Sequence, residues 1–299
     1  MKVVSISKRK LKKLPTLQLS HKVFNTEGQL YIYDEKNKWN HYNELLKIYY
    51  NQSDAYLADK IYIISQLIAS SKYLDIPELV LPKSLVSVDG EINGFAMPYI
   101  ENNINLSLLL KNPKVNIKQK LEYLKEILSL LEKISKIKQL EDKFFLGDIH
   151  EGNFILDIDE QIIKAVDLDS SYINNSSISV SKYLTFNSKI TNNPIKYPHD
   201  EEGRAIPNKN TTMLCFIYML LNSLSNSEVS YWSMNEFYNY LYFLEKSGIS
   251  KELLTVINDI YTPTQSNDFD ASLLDSIDTS KNYTLTRAHI KRTDNTYYE

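Results

Sequence analysis

Asp148, Asn153 and Asp167 fall within one stretch in which a polar loop and a polar turn alternate with two short apolar runs. Asp148 opens the run Asp148-Ile149-His150-Glu151-Gly152-Asn153, which ends on an amide five residues later. Phe154-Ile155-Leu156, a polar turn and a second apolar run ending in Ala165-Val166 come next, and then Asp167. The two runs, 153–157 and 162–166, read as short strands, with 158–161 as the turn between them. A hairpin folds back on itself, so Asn153 at its start and Asp167 at its end become neighbours. An amide oxygen beside a carboxylate offers hard ligands. These suit Mg2+, which keeps several waters and prefers carboxylate and phosphate oxygens. Asp148, in the loop just before the hairpin, can face the same spot. An acid beside a metal–phosphate site is placed to orient a hydroxyl towards a γ-phosphate.

Elements on both sides must hold these groups. Directly upstream, 117–137 reads as the clearest helix: Ile117, Leu121, Leu124, Leu128, Leu131 and Ile134 form one stripe, with Lys and Glu opposite. Nearer the N-terminus, 22–24 and 29–33 are β-prone and flank Asn25-Thr26-Glu27-Gly28, the pattern of a hairpin. The spacing of Leu57, Ile61, Ile64, Leu67 and Ile68 predicts a helix over 55–74. Residues 79–88 are β-like but irregular or at an edge, because Pro82 lies inside them. Residues 95–100 form a further strand after the turn Asp89-Gly90-Glu91. Downstream, 169–210 is irregular, and helices are expected at 211–224, 233–246 and 251–260. The polar tail after Asp278 is expected to be loosely held. The fold class is therefore α+β. Residues 1–98 make a β-rich part, a twisted antiparallel sheet carrying one helix. Residues 99–278 are mainly helical, and 279–299 are a tail.

The chain has 299 residues, enough for about two domains or one two-lobed unit. With 43% hydrophobic and 24% charged residues it can bury a core, which excludes disorder throughout. Seven Gly and nine Pro exclude a collagen-like chain. The formal net charge of −3 gives no general electrostatic reason to bind nucleic acid. The single cysteine, Cys215, excludes an intrachain disulfide and a cysteine zinc cluster; its apolar setting, 213–221, marks it as a buried thiol. The N-terminus lacks the apolar stretch of a signal peptide, and no window approaches the ~18 apolar residues of a membrane span. Lys8, Arg9, Lys10, Lys12 and Lys13 read as a solvated basic arm, and the cytoplasm is the simplest location.

The 146–169 segment resembles the catalytic loop and metal hairpin of the protein-kinase-like phosphotransferases, the superfamily of protein kinases, choline kinases and aminoglycoside phosphotransferases. That catalytic loop reads D-x-x-x-x-N, and a metal aspartate follows a strand pair later. Here Asp148 and Asn153 come from D-I-H-E-G-N, and Asp167 from D-L-D. The resemblance covers about residues 20–260, with specific motifs at 94–101 and 146–169. It implies a two-lobed kinase-like fold, with a small sheet and one helix in the N-terminal lobe and a larger helical C-terminal lobe. It implies ATP and Mg2+ as cofactors, Asp148 as the catalytic acid, and Asn153 and Asp167 as metal ligands. Gly94-Phe95-Ala96-Met97-Pro98-Tyr99-Ile100-Glu101 is similar to the last strand of the first lobe and the hinge. Met97 then becomes the gatekeeper, the backbone around Pro98 and Ile100 meets the adenine edge, and Ile155 and Val166 form an apolar floor.

The sequence departs from that family in three places. Before residue 90 the only glycine is Gly28, where relatives often gather several against the phosphates. With Leu30-Tyr31-Ile32-Tyr33 as the third strand, the lysine position holds Tyr31. Lys22, Lys36 and Lys38 are candidate substitutes, and Asp59 is the nearest acid on the following helix. Asn210 and Thr212 stand where relatives often carry an aspartate that braces the catalytic loop. His150 replaces the lysine usual in Ser/Thr kinases, and G-D-I-H resembles the form found in small-molecule and atypical kinases. His150 either touches phosphate or the metal's outer sphere, or packs beneath the loop as a hydrogen-bonded support. Glu151 reads as solvent-facing, and Asp157 and Asp169 as turn or capping acids. The 169–210 stretch is long enough for an activation-type segment, and 193–198 is similar to its closing part. The expected function is an ATP- and Mg2+-dependent kinase acting on a hydroxyl, by preference of a protein Ser or Thr. A small-molecule kinase and a non-catalytic pseudokinase module are the alternatives.

Overall fold

The computed structural model describes residues 2–17, 27–33, 44–50, 54–141, 143–174, 208–229, 232–261 and 271–285. Five strands form one sheet: β1 (Val3–Ile6), β2 (Gly28–Tyr33), β3 (Glu44–Tyr49), β4 (Ser84–Val88) and β5 (Glu91–Pro98). Their order is β1-β4-β5-β3-β2. The pairs β2–β3, β3–β5 and β4–β5 are antiparallel, as expected, whereas β1 runs parallel to β4. The sheet is therefore mixed. The partner of β2 is β3, not 22–24, which lies outside the described residues.

Strand alternation divides the sheet into two apolar faces. Leu45, Tyr49, Leu30, Leu85, Phe95 and Met97 share one face and join the main core. Leu46, Ile48, Val4, Ile6, Tyr33, Val86 and Ala96 form a second cluster on the other. The second face is closed by α1 (Lys8–Leu11), which buries Leu11. Ser7 caps this turn, and Asp89 Oδ1 accepts the Lys8 N–H at 3.0 Å. The basic arm is thus anchored by a strand and a capped turn, although Lys8, Arg9 and Lys10 are exposed. The edge of β2 is covered too, because Pro15 and Leu17 exchange backbone hydrogen bonds with Ile32 and Leu30.

Helix α2 (Asp54–Ser70) lies on the first face with Ile63, Ile64 and Leu67 fully buried. Each such side chain contributes about 1.5–3 kcal/mol by leaving water. A short strand β6 (Asn103–Asn105) leads into α3 (Leu106–Leu110) and then α4 (Ile117–Ser135). Asn116 caps α4, and its buried stripe contains Leu121, Leu124, Leu128, Leu131 and Ile134, as the periodicity requires. Strand β7 (Phe144–Phe145) precedes the hairpin of β8 (Phe154–Asp157) and β9 (Ile162–Ala165), and β10 (Tyr172–Ile173) returns to pair with β7. Strand β6 adds to β8, giving a three-stranded sheet β6-β8-β9. The hairpin is tied to the chain before β4: Ala165 N–H donates to the Glu78 carbonyl at 2.7 Å, and Val80 N–H to the Ala165 carbonyl at 3.0 Å.

Helix α5 (Lys209–Ser225) is buried along nearly its whole length, Cys215 included. Helices α6 (Met234–Lys246) and α7 (Lys251–Tyr261) pack beyond it. The chain after Asp278 is not loose where it is described. Tyr283 is fully buried, and its carbonyl accepts the Tyr240 hydroxyl at 3.0 Å. The fold is α+β, and among the described residues no helix is long and apolar enough to cross a membrane.

Candidate functional site

The pairing of β7 with β10 brings the loop after Phe145 against the segment after Asp169. Gly147 makes this approach possible. A Cβ there would lie 1.7 Å from the Ser170 carbonyl oxygen, a backbone atom that cannot rotate aside. Asp148 follows. The Asn153 amide nitrogen donates to the Asp148 carbonyl at 2.8 Å and lies 3.4 Å from its carboxylate. With its nitrogen so committed, Asn153 keeps Oδ1 without a hydrogen-bond partner among the described residues. Val166 N–H closes the hairpin on the Asn153 carbonyl at 2.9 Å. The chain then turns sharply, because Asp167 is left-handed at φ 59°. For a non-glycine residue that conformation costs on the order of 1–3 kcal/mol and is held by its surroundings. Asp148, Asn153, Val166 and Asp167 line one small cavity, so the three polar residues singled out from the sequence do meet.

The site also holds a lysine that sequence reasoning placed elsewhere. It is Lys47, in the middle of β3, and not Tyr31. Tyr31 sits on β2 with its side chain against the second apolar cluster, on the far face. Lys22, Lys36 and Lys38 lie outside the described residues. Lys47 is paired with Leu30 and Phe95 across the sheet, and these face the main core. It is 1% exposed. Its ammonium reaches Asp167 Oδ1 in a short ion pair, Asp169 Oδ2 at 2.8 Å and Glu27 at 3.7 Å. The signal was present: a lysine embedded in Leu45-Leu46-Lys47-Ile48-Tyr49 must find buried partners.

Asp169 is the second correction. It is no turn or capping acid: it is 1% exposed and accepts from Lys47, from the Tyr49 hydroxyl at 2.5 Å and from Lys60 at 3.3 Å. Lys60, on the buried face of α2, also donates to Glu27 at 3.1 Å and to the Ser170 hydroxyl at 2.8 Å. Asp59, the nearest acid that the sequence offers on that helix, is exposed. The cluster therefore contains two lysines and three carboxylates, Glu27, Asp167 and Asp169.

The charges set one another. Burial alone disfavours the ammonium forms of Lys47 and Lys60, but the surrounding carboxylates outweigh it and hold both pKa values above the usual lysine value. Burial likewise disfavours the Asp169 carboxylate, yet the two lysines hold it below the usual range. Asp167 moves the other way: desolvation and then the Asp169 charge raise it, against the pull of Lys47. Burial, opposed by Lys60 and helped by its hydrogen bond to Glu27, pushes Tyr56 up to about 12. Asp167 is the member most open to solvent, at 38% side-chain exposure against 29% for Glu27, and its Oδ2 has no hydrogen-bond partner among the described residues. The open oxygens of Asn153 and Asp167 fit a small hard cation. Among the described residues no group of three or more His, Cys, Asp or Glu is placed to hold a metal ion.

The supports differ from expectation in detail. His150 Nδ1 accepts the Gly152 N–H at 3.0 Å, so its other nitrogen carries the proton in the neutral ring and points at Asp148 Oδ2, 3.4 Å away. Of its two readings the structure favours the hydrogen-bonded support. Glu151 is buried, not solvent-facing, and pairs with Lys111 at 2.6 Å. Asp157 is a turn acid, accepting the N–H groups of Asp159 and Glu160, and it also pairs with Lys164 at 2.9 Å. Thr212 does reach the loop from α5, donating to the Leu146 carbonyl at 3.4 Å.

The remaining predicted residues lie outside that cavity. Met97 is buried at the end of β5, opposite Leu45 and on the Lys47 face. Pro98 pairs with Glu44, and the Ile100 carbonyl accepts the Asn103 side chain at 2.6 Å. Ile155 is 8% exposed and belongs to neither apolar cluster. The activation-type segment falls mostly outside the described residues. No family model matches this chain, and no curated protein matches it significantly.

Proposed function

We propose that the protein is an ATP- and Mg2+-dependent phosphotransferase of the protein-kinase-like kind, acting on a hydroxyl. The single observation that carries this reading is the meeting of Lys47 with Asp167. A buried lysine on an interior strand of one sheet faces the acid ending a separate hairpin, and Asp148 and the open Asn153 oxygen line the same cavity. The antiparallel order β2-β3-β5-β4, α2 across it, and mainly helical chain after Pro98 support a two-lobed arrangement with the cleft between. Bound Mg2+ would neutralise charge on the transferring phosphate. Asn153 Oδ1 and Asp167 Oδ2 would hold it, and Lys47 would turn its ammonium from Asp167 to phosphate oxygen. Asp148, held by Asn153 and His150, would orient the acceptor hydroxyl. Met97, Pro98, Ile100, Ile155 and Val166 would surround the base.

The acceptor in this reading is a protein Ser or Thr, and a small alcohol is the alternative. A non-catalytic module is favoured by one observation. Gly28 is packed inside β2, where a Cβ would lie 2.5 Å from the Ile48 carbonyl oxygen, so it serves the sheet and not a phosphate cradle. Two measurements test the proposal. ATP with Mg2+ at millimolar concentration should raise the melting temperature by several degrees, by about 2.7 kcal/mol of stabilisation at a hundredfold excess over Kd. ATP or Mg2+ alone should do less, and Asp167→Asn should weaken the effect. Labelled γ-phosphate should then appear on the protein itself or on a component of a lysate or metabolite panel. A shift without transfer supports the non-catalytic module, and the absence of both shift and transfer removes nucleotide chemistry from this cavity.

A further inference from the structure

Lys60 is saturated. An ammonium has three protons, and the three acceptors around Lys60 are Glu27 Oε2, Asp169 Oδ1 and Ser170 Oγ, at 3.1, 3.3 and 2.8 Å. The side chain is 1% exposed. Lys60 therefore cannot act on a ligand directly, yet it sits one carboxylate away from Lys47. Asp169 gives Oδ1 to Lys60 and Oδ2 to Lys47, with the Tyr49 hydroxyl also on Oδ2. Lys47 in turn has two close partners, Asp167 in the open and Asp169 in the interior, with Glu27 farther off at 3.7 Å.

We propose that Lys60 is a positioning residue, and that helix α2 sets the Lys47 ammonium through the relay Lys60–Asp169–Lys47. The helix contributes a cation here, and the carboxylate that holds Lys47 comes from the segment just after the hairpin. Asp167 is thereby released from serving as the fixed partner. When Asp167 turns to a cation, Lys47 keeps Asp169 and stays aimed at the cleft. The same helix grips Glu27 by both oxygens, Tyr56 on Oε1 at 2.6 Å and Lys60 on Oε2. Glu27 directly precedes β2, so a displacement of α2 moves the start of that strand and Lys47 together.

The nucleotide arm of the test rests on the function proposed above, and a second arm does not. Lys60→Met alone strips a cation from a buried cluster and can prevent folding. Lys60→Met with Glu27→Gln removes one charge of each sign and keeps the net charge of the cluster. In the nucleotide-free protein, acetylation of Lys47 by a small amine-acylating reagent is followed by peptide mass spectrometry, with the paired Lys164 as internal control. Wild-type Lys47 should be strongly protected. Asp169→Asn should raise its labelling rate about tenfold or more over wild type, and the Lys60→Met, Glu27→Gln double variant should do so over Glu27→Gln alone, which removes only the 3.7 Å partner of Lys47, leaving Lys164 unchanged. Equal Lys47 rates in Glu27→Gln and the double variant, with melting temperatures showing both folded, overturn the relay whatever the nucleotide result. In the second arm, calorimetric titration with ATP and Mg2+ should show Kd raised about tenfold or more in the double variant over Glu27→Gln alone. If wild type binds no nucleotide while the labelling rates change as stated, the function proposed above falls and the relay stands.

Discussion

Asp148→Asn should lower phosphoryl transfer by about 10²–10⁴-fold, the usual loss for a positioned acid or base, with little change in nucleotide affinity. The substitution keeps shape and removes charge. Asp148 lies in the loop before the hairpin, where Asn153 Nδ2 and His150 Nε2 hold it from within the loop. None of the three groups that would meet nucleotide or metal, Lys47, Asn153 Oδ1 and Asp167 Oδ2, depends on the Asp148 carboxylate as its main partner. The expected pattern is therefore a fallen kcat with an intact MgATP-dependent thermal shift. Wild-type turnover in Asp148→Asn would remove this residue from the chemistry. Loss of the shift together with turnover would mean that the loop had been displaced and that Asp148 is structural.

Lys47→Met should be the most damaging single change to both stability and nucleotide binding. It removes the cation shared by three carboxylates, one of which, Asp169, is 1% exposed and cannot be rescued by water. Breaking a buried charged cluster in this way typically costs about 3–5 kcal/mol. The lower end is expected here, because Lys60 and Tyr49 remain on Asp169 and Asp167 is open to solvent. The thermal shift with MgATP should disappear. The pH dependence is specific. Lys47 and Lys60 have folded pKa values above the unfolded value near 10.5. Their ion-pair stability is then fully present below about pH 10.5 and is lost only as pH rises through the folded values. The difference in unfolding free energy between wild type and Lys47→Met should thus stay constant from about pH 7 to about pH 10. A penalty that shrinks steadily over that range would show that Lys47 is not held as a charged, buried partner.

The part of the site made from nearby residues was legible before any coordinates. Asp148 and Asn153 are joined by one tight loop, and Asn153 meets Asp167 because two strands and a turn leave no other arrangement. The α4 stripe, the helical nature of 54–70 and the buried Cys215 followed equally from local periodicity and apolar context. Such features depend on interactions only a few residues apart along the chain.

The charged cluster was decided by tertiary structure. Lys47 meets Asp167 across 120 residues, and Lys60 meets Asp169 across 109. Their identity hinged on which short strand is interior, and a one-residue change of parity turns a side chain to the other face of a sheet. Taking 29–33 as the strand bearing the lysine pointed to Tyr31, which packs on the far face, whereas register with Leu30 and Phe95 puts Lys47 on the face of the main core. Asp59 and Lys60 are adjacent in sequence, yet a helix separates adjacent side chains by about 100°, so one is exposed and the other buried in the cluster. Sequence by itself determined the loop, the hairpin and the groups they carry. Only the packing of sheet, helix and hairpin determined which lysine they face, because a buried charge is chosen by the partners that three separate elements bring to it.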